Sequence, residues 1–317
     1  MIFLLLVACD DPESKDEPAF DGEDLRLAEG DFPDPGDDNA VWWGPEVEVQ
    51  PGEDIMYCQF GTYKGADQGV HELVTYQNAF GHHLVPLGTT ASELDYPDGT
   101  VIDCTQTGAL DMGSLEPIVI ATATEVGGTY HDLGMSVPDG MAVKLDAGQR
   151  YVMQAHWLNT GTEPILARDV AVFQFMEPDA VETWAAPLVT NHGDFTLPPG
   201  EATSVSFDCT FDDDYSFVYM LGHMHEWGTS MKVEQVTGDL VETVYDVAEW
   251  EPSFRDQSPV ITYNPGDYAL PAGTTLRTTC NWFNDTDAVI EFPFEMCVSV
   301  SLVYPLLTTD ICDGGNE

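Results

Sequence analysis

Basic residues are almost missing from this sequence: nine Lys and Arg stand against 56 Asp and Glu, a formal net charge of −47 over 317 residues. A surface that acidic repels phosphate backbones and anionic lipid headgroups, which argues against nucleic acid and membrane surfaces as partners. It attracts cations, metal ions among them, and keeps a protein soluble at high salt. Long apolar runs are missing as well. The stretch Met1–Cys9, MIFLLLVAC, is too short to span a bilayer. No two cysteines are spaced C-x-x-C, so zinc ribbons and thioredoxin-like sites find no support. Nor does any segment show the 3.6-residue period of a long amphipathic helix.

What the first nine residues do offer is the tetrapeptide Leu6-Val7-Ala8-Cys9, which is similar to a bacterial lipoprotein box. Cys9 is then the expected lipidated first residue of an exported, envelope-anchored chain, with plain secretion as the alternative. A lipid anchor would be the one contact with a membrane. Removing Cys9 from the seven cysteines leaves six, at 58, 104, 209, 280, 297 and 312. An even number in an exported chain predicts three structural disulfides.

Residues 10–40 are rich in Asp, Glu, Pro and Gly and read as a disordered acidic tether. From Trp42 onward the pattern becomes short runs of Val, Ile, Tyr, Phe and Thr, broken every 8–12 residues by Gly, Pro, Asn or Asp. Several alternate with period two, as half-buried antiparallel strands do. The expected fold class is all-β: two packed antiparallel β-sandwich, jelly-roll-like domains at 41–177 and 178–317. The boundary falls near 177–187, where Pro and acidic residues interrupt the strands.

Five of the eight histidines fall in three places. His223-Met224-His225 ends an apolar strand pattern, and period two puts both imidazoles on one face. That is a metal-ligand spacing, although two surface histidines look the same. His82 and His83 are adjacent, so on a regular strand they face opposite ways. Both can reach one ion only where the backbone is irregular, which Gly81 permits. His156, alone on its strand, is by itself more often structural, and Met296 by itself is a core methionine. Taken together they suggest one site of three histidines and one of two histidines and a thioether. A thioether selects copper over zinc.

The order His-His, His, H-x-H and Met-Cys, with flanks Tyr57-Cys58, HHLVPLG, VMQAHW, LPPGE before Cys209 and EMC at 295–297, resembles the copper type II, ascorbate-dependent monooxygenases. The resemblance covers about residues 45–312. It implies two coppers per chain. His82, His83 and His156 would hold the electron-supplying copper. His223, His225 and Met296 would hold the one that activates O2 to hydroxylate a C–H bond of a small organic substrate, with ascorbate or an equivalent as reductant. It also implies the disulfides Cys280–Cys297 and Cys209–Cys312, leaving Cys58–Cys104 as the third. The alternative is a copper-binding or copper-delivery lipoprotein without turnover; a structural zinc protein is disfavoured by Met296.

The resemblance thins at the substrate. Leu221 stands where the peptide-amidating members carry a basic residue, and Val300 where they carry a tyrosine, which argues against a carboxylate-bearing substrate. Glu226 follows the H-x-H, and three roles fit it: binding an amine, bonding a ligand histidine, or facing solvent. His71, His131 and His192 match no ligand position. Trp42, Trp43, Trp157 and Trp227 are expected mainly in the core wall.

Overall fold

The structure is a computed structural model describing residues 20, 22–34, 36, 39–104, 115–117, 122–123, 131–255, 258–292 and 294–314, with backbone alone at 115–117, 122–123 and 131–135. The expected leader, Cys9 and most of residues 10–21 lie outside the described residues, as does the side chain of His131. Among the described residues the only helical pieces are the 3-10 turns Pro178–Ala180 and Pro252–Arg255. Among the described residues no helix is long and apolar enough to cross a membrane. All other regular structure there is strand, so the all-β class holds.

In the first half, a six-stranded sheet centres on Asp54–Thr62, Arg150–Leu158 and Gly81–Thr89, all antiparallel. It faces a second sheet in which Val170–Met176, Gln68–Gln77 and Met141–Leu145 are neighbours. Alternate residues of these strands meet in one apolar cluster holding Leu73, Leu145, Met153, Trp157 and Phe173, each fully buried. Burying one such side chain is worth about 1.5–3 kcal/mol. Trp42 is buried against this core, stacked on Tyr151 with ring centroids 4.0 Å apart.

The second half repeats the plan. Ala202–Phe211, Thr274–Phe283, Gly228–Thr237 and Leu240–Val247 form a four-stranded sheet. It packs on the sheet of Thr183–Asn191, Val298–Tyr304 and Tyr215–His223 around Phe217, Met220, Met231, Tyr245 and Trp282. The two halves share a sheet, because Met141–Leu145 pairs in parallel with Thr183–Asn191. Val218, Tyr219 and Leu302 of the second half belong to the first core.

The six cysteines pair as Cys209–Cys312 and Cys280–Cys297, the pairs the family resemblance implied, and Cys58–Cys104, the pair that was left over. Three disulfides fit an oxidising, exported environment.

The tether expectation needs correction. Within 10–40, Glu23–Arg26 forms a strand in parallel with Ile165–Arg168. Leu27 and Phe32 are buried, and Phe32 stacks on Tyr76 at 5.4 Å. Arg26 bonds Asp24 and Glu46. A few well-spaced apolar groups and one arginine are enough to dock an otherwise acidic segment; composition averaged over 31 residues concealed them.

Candidate metal centres

His83 lies directly opposite His156 in the antiparallel pair of Gly81–Thr89 with Arg150–Leu158. The next pair is Trp157 with Gly81, so His82 is the extra residue of a β-bulge. A bulge sets two residues against one and re-aims a side chain, which resolves the problem of two adjacent strand histidines. The ring centroids of His82 and His83 lie 4.5 and 4.9 Å from that of His156. One possible ligand atom from each of the three residues lies within 4.8 Å of the others.

The surroundings suit a metal. Asp54 accepts a hydrogen bond from Nε2 of His156, which orients the ring and turns Nδ1 away from it. That bond holds the Asp54 carboxyl below the usual carboxylate range. Nδ1 of His156 is buried with no hydrogen-bond partner among the described residues. Burial, then repulsion from the His156 and His82 rings, keeps His83 neutral by pushing its pKa well down. Neutral imidazole is the ligating form.

Gly81 has to be glycine: an added Cβ would lie 2.7 Å from Cβ of Gln77 and 3.1 Å from Oδ2 of Asp169. Asp169, fully buried, accepts from both N and Nδ2 of Asn78 at 3.0 Å and so holds the turn that leads into the histidines. Burial pushes its carboxyl up to about 7, offset in part by the Asn78 N–H. A raised acid keeps its proton in the folded state over a window in which the unfolded chain has lost it. Stability from this group is therefore greatest at low pH and declines as pH rises from about 4 to 7. Comparing parent with Asp169→Asn by denaturant unfolding, the parent's stability is expected to fall more steeply between pH 5 and 7, by about 1.4 kcal/mol per pH unit. Equal slopes would contradict this.

The second cluster sits where Tyr215–His223 runs beside Val298–Tyr304. His223 pairs with Val298. Two residues past each strand end, the main-chain N–H groups of His225 and Met296 meet on one carboxylate oxygen of Glu295. The rings of His223 and His225 are 5.1 Å apart, while Met224 between them is fully buried in the core. Nδ1 of His225 donates to the Phe294 carbonyl at 2.7 Å, so in the neutral ring Nε2 carries the lone pair. Cys297, next to Met296, is tied to Cys280 in the four-stranded sheet.

Around His223 the exposed face is apolar. Leu221 pairs with Val300 on one side and with Val260 on the other. Every one of the eight Lys and Arg among the described residues lies within ion-pair distance of an acid. Arg255, beside this site, bonds Glu226 at 3.2 Å, and its charge also acts on Asp54 and His83 of the first cluster. Of the three roles open to Glu226 the structure is nearest to the solvent-facing one, with Arg255 as an ion-pair partner that the sequence reading did not name.

Among the other histidines, His71 bonds the Met141 carbonyl. His192 stacks on Phe207 at 5.3 Å, and its main-chain N–H donates to the carbonyl of Cys297, the residue after Met296. Trp157 is fully buried and Trp227 partly so. Two surface clefts of about 360 and 610 Å³ run along Val143–Gln149 and along Glu182–Trp184; neither includes any of the six candidate ligands. Asp54, Asp169 and Glu295 were not singled out from sequence. Their only signal is an acid set inside or beside a strand's apolar pattern.

No protein-family model matches the chain, and no curated protein matches it significantly. Among solved structures, PNGase F, a glycosylasparaginase from Flavobacterium meningosepticum, is similar over 86% of this chain and 98% of its own, at 11% identity and a TM-score of 0.40. A triple jelly roll protein of an archaeal virus matches over 85% of this chain and 61% of its own, at 10% identity and a TM-score of 0.24. The VP2 subviral particle of infectious bursal disease virus matches over 86% and 74%, at 9% identity and a TM-score of 0.20. Likenesses this distant say nothing of function.

Proposed function

We propose that the chain is a copper-dependent monooxygenase with two unlike copper sites, hydroxylating a C–H bond of a small organic substrate with O2 and an external reductant. The observation that carries this is the bulged gathering of His82, His83 and His156 within 4.8 Å in one half. In the other half, His225, beside His223, shares one carboxylate oxygen with Met296 through their main-chain N–H groups, which supports the reading. Three imidazoles alone suit copper or zinc. The thioether of Met296 is what favours copper. Copper bound at the two sites would supply one-electron chemistry with O2.

The protein's share is to hold the donors. Asp54 orients His156, and the Phe294 carbonyl fixes the tautomer of His225. The Leu221–Val300–Val260 face gives the substrate an apolar floor. The adjacent cation, Arg255, already faces Glu226. A substrate carboxylate placed there would be desolvated without a dedicated partner, which favours an uncharged reacting end.

Ascorbate-driven O2 uptake tests the reading. The copper-loaded parent is expected to consume O2. Met296→Ala is expected to lose more than the 10–100-fold that removal of an outer-shell partner typically costs. Uptake indifferent to Met296 would sink the proposal and leave a copper-binding protein without turnover.

A further inference from the structure

Glu295 stands one residue before Met296 and is fully buried. Its carboxylate accepts main-chain N–H groups from two separate segments. Oε1 takes His225 N at 2.5 Å and Met296 N at 2.8 Å, and Oε2 takes Trp227 N at 3.3 Å. The ladder between the two strands has ended by this point, since one stops at His223 and the other begins at Val298. Beyond it the carboxylate does what ladder bonds do within a sheet, joining the H-x-H segment to the Met segment. The residue just before Glu295 adds a second tie, because the Phe294 carbonyl accepts from the His225 ring.

We infer that Glu295 is the positioning residue of the second site: its carboxylate locks the segment carrying His225 and the segment carrying Met296 into one unit, and so sets the separation between the imidazoles and the thioether. The inference rests on the reading of His223, His225 and Met296 as a copper site. Glu295 itself touches no copper in this scheme. It acts through the backbones of two donors, and a buried carboxyl group is suited to this because its two oxygens can accept from both segments at once. A glutamine of the same volume brings one acceptor oxygen and an NH2 group. Turned toward the N–H donors, that NH2 leaves at least one of them unsatisfied in a buried place. An aspartate keeps both oxygens but draws them back by one methylene.

Two measurements on Glu295→Gln and Glu295→Asp decide it. The first needs no metal: amide hydrogen exchange in the apo-protein. Exchange of at least one of the His225, Trp227 and Met296 amides is expected to speed up by at least about tenfold in Glu295→Gln, as loss of a net hydrogen bond would produce. Amides of the Tyr215–His223 strand should keep the parent's rates, which also shows that the variant is folded. The second is X-ray absorption of the Cu(I)-loaded protein. The parent is expected to show a copper–sulfur contribution, and both variants are expected to lose it while retaining nitrogen ligation. Unchanged exchange, or a copper–sulfur contribution that persists in both variants, would reduce Glu295 to packing and overturn the inference alone. A parent with no copper–sulfur contribution would overturn Met296 ligation and this inference with it.

Discussion

His156→Ala is expected to lower copper from two per chain to one and to stop O2-coupled turnover while leaving the protein folded. His156 faces His83 directly across the strand pair and lies nearer to each of the other two rings than they lie to each other: 4.5 and 4.9 Å, against 5.7 Å between His82 and His83. Taking it away leaves two imidazoles that the bulge alone does not bring together. The loss should exceed the 10–100-fold in metal affinity that an outer-shell change costs. Asp54→Asn supplies the graded control. It removes the carboxylate that orients His156 but none of the three rings, so a loss within that 10–100-fold range is expected. Metal analysis after dialysis, with O2 uptake on the same samples, reads both effects. Two coppers retained by His156→Ala would mean that the three histidines are not a site.

The second large effect concerns stability. Opening Cys209–Cys312 by a double Cys→Ser change is expected to cost about 3–5 kcal/mol, because the bridge spans 103 residues and a loop of that length is worth about 4.7 kcal/mol in chain entropy. The geometry adds to the reason. Cys209 is buried in the four-stranded sheet, while Cys312 lies on Asp310–Asp313, a strand of four residues paired with Leu188–Asn191 in the facing sheet. The bridge therefore ties the two sheets of the second sandwich and holds down a strand too short to hold itself. Opening Cys280–Cys297, with a separation of only 17, should cost less in stability, about 3 kcal/mol. Its neighbour is Met296, so it should cost more in copper retention at the second site. Urea unfolding of both double variants beside the parent checks the order. A loss below about 1 kcal/mol for Cys209–Cys312 would contradict the loop-closure account.

The strands were legible because their signals are local. Alternation such as SVSFDCTF and CVSVSLVY needs only the period of a pleated strand. His223 and His225 were legible for the same reason, and in the structure the buried Met224 between them confirms the alternation. His82 and His83 were legible only as a question. Their gathering depends on a bulge, which is fixed by where the Arg150–Leu158 strand slips against them, and slippage between distant segments leaves no local trace. The docked segment around Leu27 and Phe32 was missed because its few apolar groups lie in acidic sequence.

Asp54, Asp169 and Glu295 were missed for a related reason. With 56 acids in the chain, three that are placed to orient or clamp a site look like the rest. Burial is what separates Asp169 and Glu295 from the others, pushing each carboxyl up to about 7. Burial of a polar group comes from tertiary packing, which reading along the chain does not supply.

Copper per chain in the loaded protein, measured together with ascorbate-driven O2 uptake on the same sample, tests the central claim most directly. Two coppers per chain with O2 uptake is the result expected here. One copper or none, or two coppers with no uptake, would contradict the monooxygenase account.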